Sequence, residues 1–235
     1  MAHWEDLASR FDDIFLADPT YTETLERMVG LVEKGDDARI MDLGCGTGNL
    51  ITLLLDRFPH AGIVGVDPSP SMRERCEQRF GDLSNLEITG GDGLIIPHAD
   101  ASFDYVLSSL ALHHIPPDHK AANASEIARV LVPGGRFIHA DVFSGVPGPP
   151  EDPERARDII QRVVAKALYS LEHGAYRMMI GELSALPRIL KEDGEYLLTV
   201  EEWTDILRGA GFTSFQVIDI PPVDLTRIVC CTLEG

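Results

Sequence analysis

The chain has 235 residues, a formal net charge of −18, 44% hydrophobic residues and a mean hydropathy of −0.01. That size and composition suit an ordinary globular α/β core, and the charge argues against nucleic acid as a partner, since a polyanion needs a basic stripe; it serves solubility or steers a cationic ligand. With no run of 18 apolar residues, no signal-like start in Met1-Ala2-His3-Trp4-Glu5-Asp6, and four cysteines (Cys45, Cys76, Cys230, Cys231) in no C-x-x-C or zinc spacing, the expectation is no membrane span and a reducing, cytoplasmic setting.

Trp4, Leu7, Ala8, Phe11 and Phe15 recur at helical spacing, so 3–16 reads as an amphipathic helix. A second helix is expected over 20–33, with Leu25, Met28, Val29 and Val32 inward. The run Ile40-Met41-Asp42-Leu43-Gly44-Cys45-Gly46-Thr47-Gly48-Asn49-Leu50 then reads as a buried strand, a glycine turn and a helix over 48–58. Its glycines remove side chains where the chain must turn tightly and approach a ligand closely, and the N–H groups of such a turn point outward at a helix start. The pattern is G-x-G-x-G, not the dinucleotide G-x-G-x-x-G. A strand at 62–66 ends in Asp67, about 20 residues beyond the glycines, as expected across one βαβ unit. A helix follows over 69–80, with Pro68 and Pro70 at its start.

A short strand near 86–89 leads into Gly90-Gly91-Asp92-Gly93. The strand 103–108 runs into Ser108-Ser109-Leu110-Ala111-Leu112-His113-His114, then a helix over 118–131 and a strand over 136–142 with His139 and Asp141. This alternation predicts a largely parallel sheet covered by helices. Gly145-Val146-Pro147-Gly148-Pro149-Pro150 breaks the pattern. Beyond it, Ile159, Ile160, Val163, Val164, Ala167, Leu168 and Leu171 mark one amphipathic helix, and Tyr176, Met179, Ile180 and Leu183 a second. Thr199 is a plausible N-cap with Glu202 at its third position, and β-rich runs at 213–220 and 226–233 finish the chain.

On Asp42-Leu43-Gly44-Cys45-Gly46-Thr47-Gly48, Asp67, Asp92, Phe103-Asp104-Tyr105-Val106-Leu107 and Leu131-Val132-Pro133-Gly134-Gly135-Arg136-Phe137, the chain resembles the class I S-adenosylmethionine-dependent methyltransferases. The likeness covers roughly 35–145 and, less closely, 198–233. It implies a Rossmann-like, doubly wound, seven-stranded, mostly parallel α/β sheet with the last strand antiparallel. It implies one domain, 1–235, with N-terminal helices (1–34), a cofactor-binding core (35–145), a helical cap insertion over the acceptor (146–190) and a C-terminal helix and strands (191–235). The cofactor would be S-adenosyl-L-methionine, bound by Asp42, Gly44, Cys45, Gly46, Gly48, Asn49, Asp67, Pro68, Ser69, Met72, Asp92, Gly93, Ser108, Ser109 and His113. Within that set Asp67 would be the ribose acid, Asp92 the adenine acid, and Asp42 the partner of the methionine amino group. The fourth strand lacks the Asn/Asp-Pro-Pro-Tyr/Phe of the nucleic acid and amide N-methyltransferases, so the expected acceptor is a small molecule.

His113, His114 and Asp141 are candidates for proton transfer from an acceptor; a histidine bonded to backbone is the competing reading for the first two, and many acceptors need no base. No spacing demands a metal, and none is expected. Tyr21, Tyr176, Arg177 and Met179 are acceptor-side candidates, with Arg177 and Arg188 suited to an acidic group. The insertion's apolar stripe serves a cap or a homodimer interface equally well. Two rival functions stand beside methyl transfer. Gly174-Ala175-Tyr176, Arg188 and Gly211-Phe212 faintly resemble the carboxy-S-adenosylmethionine synthases of tRNA modification, although that family departs from Gly-Cys-Gly-Thr-Gly. The other rival is a catalytically silent S-adenosylmethionine-binding module.

Overall fold

In the computed structural model, which describes residues 11–235, seven strands form one sheet in the order β3-β2-β1-β4-β5-β7-β6. They are β1 (Arg39–Leu43), β2 (Gly62–Val66), β3 (Leu86–Thr89), β4 (Phe103–Ser109), β5 (Leu131–Val142), β6 (Phe212–Asp219) and β7 (Thr226–Leu233). β1 to β5 pair in parallel, and β7 runs antiparallel between β5 and β6. The strand order reverses between β1 and β4, and open α/β sheets bind ligands at the carboxyl ends on either side of such a switch.

Both faces are covered because the strands are apolar on both sides. On one face Ile40, Ile63, Leu107, Ile138 and Cys230 meet α2 (Pro19–Gly30) and α3 (Asn49–Arg57). On the other, Met41, Val64, Val106, Phe137 and Cys231 meet α5 (Lys120–Val130) and α8 (Val200–Gly209), whose Trp203 is fully buried. Leu25, Met28, Val29 and Val32 are inward as expected. Of the N-terminal helix, the described part is α1 (Phe11–Phe15); Trp4, Leu7 and Ala8 lie outside the described residues. α4 (Pro70–Phe80) starts with Ser69 as N-cap, and Thr199 and Glu202 close a reciprocal capping box on α8.

Three boundaries differ from the sequence reading. The second helix, expected over 20–33, ends at Gly30, where the Leu31 and Val32 N–H groups turn back to the Met28 and Val29 carbonyls. The expected helix over 118–131 begins at Lys120, because Pro116 and Pro117 first impose a short 3-10 turn. β5 begins at Leu131, five residues early, since the Pro133-Gly134-Gly135 turn is taken up as an irregularity in its pairing with β4. The insertion is a hairpin of α6 (Pro153–Glu172) and α7 (Tyr176–Lys191). Its inner face sets Ile159, Val163 and Ile189 against Leu197 and Leu225.

Candidate active site

The glycine turn after β1 is shaped by backbone. The N–H groups of Gly44 and Cys45 donate to the Val66 carbonyl at 2.7 and 3.1 Å, drawing the turn toward β2. Gly44, Gly46 and Gly48 all have positive φ, at 82°, 53° and 87°. A Cβ at Gly44 would meet Ala111 at 2.3 Å and one at Gly48 would meet Phe80 at 2.5 Å, so both positions need glycine for packing as well as conformation. A Cβ at Gly46 would meet no atom within 4 Å, so that glycine faces open space at the strand ends.

Asp67 closes this turn from β2. Its Oδ2 accepts from Gly46 N–H at 2.9 Å and its Oδ1 from Ser69 N–H at 2.8 Å. Ser69 Oγ accepts from Met72 N–H, and Pro68 between them is exposed. Cys45 and Met72 are buried and contribute packing. Asp42 is different: it is 1% exposed, and neither carboxylate oxygen has a hydrogen-bond partner. Burial, and then the Asp67 charge, lift its pKa to about 8. A buried carboxylate with no donor beside a side-chain-free turn fits a ligand that brings a cationic amino group.

Asp92 forms a local turn in which Oδ1 accepts from Leu94 and Ile95 N–H groups, both at 3.0 Å. The Gly93 carbonyl after it accepts from Asn123 Nδ2 at 2.8 Å, which ties the turn to α5. Ser108 Oγ donates to the Leu43 carbonyl at 2.7 Å and locks β4 to β1, whereas the buried Ser109 Oγ is unpartnered. The Asn49 side chain is engaged within the chain. Its amide donates to Asp12 and Tyr21 OH and accepts from Arg79, and Asp12 also accepts from Thr47 Oγ and Arg79. These bonds clip α1 onto the glycine turn.

Beyond β4 lies a buried polar chain. His113 Nδ1 meets Asp141 Oδ1 at 2.5 Å and its backbone N–H donates to Asp141 Oδ2 at 2.9 Å. His113 Nε2 stands 3.2 Å from Glu195 Oε2, and Arg188 holds the other Glu195 oxygen at 3.0 Å. His139 Nε2 reaches Asp141 Oδ2 at 3.0 Å. Burial opposes the His113 cation, but the Asp141 charge and bonds to both carboxylates outweigh it and raise its pKa to about 9. Burial, with the neighbouring His113 cation, lowers His114 to about 4, and the His114 ring donates from Nδ1 to the Gly194 carbonyl at 2.7 Å. Burial likewise lowers His139. A cavity of about 10 Å³ beside His113, His139, Asp141 and Trp203 is the size of one water and too small for an acceptor.

The acceptor-side expectations fare unevenly. Tyr21 is in the core against Phe15, its hydroxyl engaged by Asn49, because α2 presents it to the sheet. Tyr176 and Arg177 point outward, 59% and 66% exposed, because Met178 takes the inward position of that turn; Met179 is half-buried. Glu195 escapes sequence reasoning altogether. It sits in Lys191-Glu192-Asp193-Gly194-Glu195-Tyr196, which reads as a solvated loop. Tertiary contacts bring it in: Tyr196 N–H donates to the His113 carbonyl at 2.8 Å, and Arg155 pins the segment through Glu192 and the Leu197 carbonyl.

The sheet order, the antiparallel β7 and the glycine turn with its carboxylates define a Rossmann-like methyltransferase fold. The family described as "Methyltransferase domain" matches residues 40–135. Demethylmenaquinone methyltransferase of Thermus thermophilus is 32% identical over 172 residues, 68% of this chain and 73% of that protein. The 27-O-demethylrifamycin SV methyltransferase of Amycolatopsis mediterranei is 28% identical, over 86% of this chain and 71% of that one. Among solved structures, Haemonchus contortus phosphoethanolamine N-methyltransferase 2 in complex with S-adenosyl-L-methionine superposes with a TM-score of 0.70 at 15% identity, over 98% of this chain and 57% of that chain. This chain belongs to the class I S-adenosylmethionine-dependent methyltransferases, and S-adenosyl-L-methionine is its cofactor. The relatives favour methyl transfer over carboxy-S-adenosylmethionine synthesis or a silent binding module.

Proposed function

We propose that the protein methylates a small organic molecule, with Asp42, the glycine turn, Asp67 and Asp92 holding the cofactor and the His113–His114–Glu195 wall facing the acceptor. The observation that carries the cofactor assignment is the buried, unpartnered carboxylate of Asp42 on the strand that runs into the glycine turn. The small-molecule reading is supported by the net charge of −18, which repels nucleic acid, and by the two relatives, whose names give a demethylated menaquinone and a demethylated rifamycin as their acceptors. We place the protein in the cytoplasm on its thiol chemistry; no helix among the described residues is long and apolar enough to cross a membrane.

In this reading S-adenosylmethionine supplies an electrophilic sulfonium methyl. The chain aligns the acceptor and excludes water. Asp42 would accept from the ligand's ammonium, Asp67 from ribose hydroxyls and Asp92 from the adenine amino group. Gly46 allows close approach. His113 is a poor base here, since both ring nitrogens are engaged by carboxylates and its cation is favoured. The α6–α7 hairpin caps the acceptor side, and its exposed residues Ile160, Val164, Leu168, Leu171, Ile180 and Leu183 form a face suited to a second copy of the chain. Incubation with methyl-labelled cofactor and a panel of phenolic, thiol, amine and quinol acceptors, read by mass spectrometry, tests the reading. A labelled small product is expected, and labelling confined to protein or nucleic acid would refute it.

A further inference from the structure

Three side chains from two distant stretches meet beside the carboxyl end of β4. His113 Nε2 is 3.2 Å and His114 Nδ1 3.9 Å from the same oxygen, Glu195 Oε2. One ligand-capable atom from each residue lies within 4.8 Å of the other two. Donors on a tetrahedral zinc, with bonds of about 2.1 Å, stand about 3.4 Å apart. The His113–Glu195 pair is already near that separation, and the His114 ring must exchange its bond to the Gly194 carbonyl for the ion.

Two of the three are also braced from behind. Asp141 takes His113 Nδ1 and Arg188 takes Glu195 Oε1, whereas His114 Nδ1 now donates to the Gly194 carbonyl and gives up that bond to ligate. A carboxylate or carbonyl on the second ring nitrogen is how metal-binding histidines are oriented and made more basic. Asp141 is itself fixed by His139 and by the backbone N–H groups of His113 and Val142. The cluster is thus prearranged around His113, which is nearly buried, while the His114 side chain keeps 25% exposure and offers a way in. Two imidazoles and one carboxylate make an open three-ligand set, the donor type of hydrolytic zinc sites and of non-haem iron.

We propose that His113, His114 and Glu195 bind one divalent first-row transition ion, zinc foremost, with a coordination position left for an oxygen or sulfur atom of the acceptor. The ion would replace the direct contact between His113 Nε2 and Glu195 Oε2. A hydroxyl or thiol that coordinates it loses its proton to solvent and keeps the electron pair on the coordinating atom, which becomes the nucleophile. That second role rests on the small-molecule reading above; the ion site itself does not.

The protein, stripped with a chelator and dialysed, is titrated with zinc by calorimetry. One zinc per chain is expected. Cobalt in place of zinc should give the intense visible bands of a four- or five-coordinate ion. Glu195→Gln and His114→Gln should each weaken zinc at least tenfold, while circular dichroism and S-adenosylmethionine affinity stay at wild-type values, which certifies the fold. Zinc binding equal to wild type in both variants, or no stoichiometric zinc in the wild type, overturns the site. Turnover of an identified hydroxyl or thiol acceptor that is undiminished in chelated protein overturns the anchoring role. If no small acceptor is turned over with or without zinc, the small-molecule reading fails, and the calorimetry still decides the ion site.

Discussion

The ammonium of Lys166, in α6, lies 2.8 Å from Asp18 Oδ2, 148 residues away at the start of α2. Both groups are buried, and Lys166 also pairs with Glu182 of α7 at 2.9 Å and Ser170 at 3.0 Å. Asp18 meanwhile caps α2 by accepting from Thr20 N–H. One cation therefore pins the insertion to the N-terminal helices. Lys166→Met leaves Asp18 buried, and Glu182 half-buried, without their charge partner, a loss on the order of 3–5 kcal/mol. Urea unfolding should show it, and a variant within about 0.5 kcal/mol of wild type would show that the hairpin is held by its apolar face instead.

The glycines of the turn should separate by role. Gly46→Ala places a methyl in open space at the strand ends, so its cost to stability is the left-handed backbone strain of about 1–2 kcal/mol, while cofactor affinity collapses. Gly48→Ala drives a Cβ into Phe80 and Cys76 and adds overpacking of about 1–3 kcal/mol to that strain. Thermal melts and calorimetry on both proteins make the comparison; normal cofactor binding by Gly46→Ala would mean that the turn does not approach the ligand.

Asp67→Ala should lower cofactor affinity by roughly 1.5–3 kcal/mol, the worth of charge-assisted hydrogen bonds. It also frees the Gly46 and Ser69 N–H groups that Asp67 now accepts from, so the turn itself should loosen and exchange its amide protons faster. Unchanged affinity in calorimetry would remove Asp67 from the cofactor site.

Asp42 makes the cofactor-free protein sensitive to pH. Its folded pKa, about 8, is above the ordinary carboxylate value of 3.8. Between these values the unfolded chain has lost the proton and the folded chain keeps it, so stability falls as pH rises from about 4 to 8. Asp42→Asn removes that penalty. Without cofactor, the variant should gain melting temperature relative to wild type at pH 8 and lose the advantage near pH 4, while its cofactor affinity drops. A difference that does not vary with pH would show that Asp42 is not held protonated.

The exposed stripe on α6 and α7 gives the last expectation. Leu168→Glu with Leu171→Glu should leave cofactor affinity intact, since both side chains are half-exposed on the outer face. If that face pairs two chains, the double variant elutes as a monomer where the wild type is a dimer. Met179→Ala tests the cap instead: acceptor turnover should fall while cofactor affinity holds.

The alternation of strands and helices, the glycine turn and the carboxylates at Asp42, Asp67 and Asp92 were legible in the sequence because each is a local matter. Period, capping and turn conformation act over a few residues, and one βαβ unit fixes the spacing from Gly46 to Asp67. Even the burial of Leu25, Met28 and Val29 follows from a helical period. The tertiary structure alone decided what long-range contacts decide. It placed Glu195 from a polar loop against His113, used the Asn49 side chain to clip α1 to the turn, and sent Tyr21 into the core. It also chose Met178 over Tyr176 and Arg177 for the inner side of α7. An amphipathic pattern says that a face must be covered, whereas only packing against a particular neighbour fixes which residues of a broad apolar stripe are covered and which polar side chains are drawn in with them.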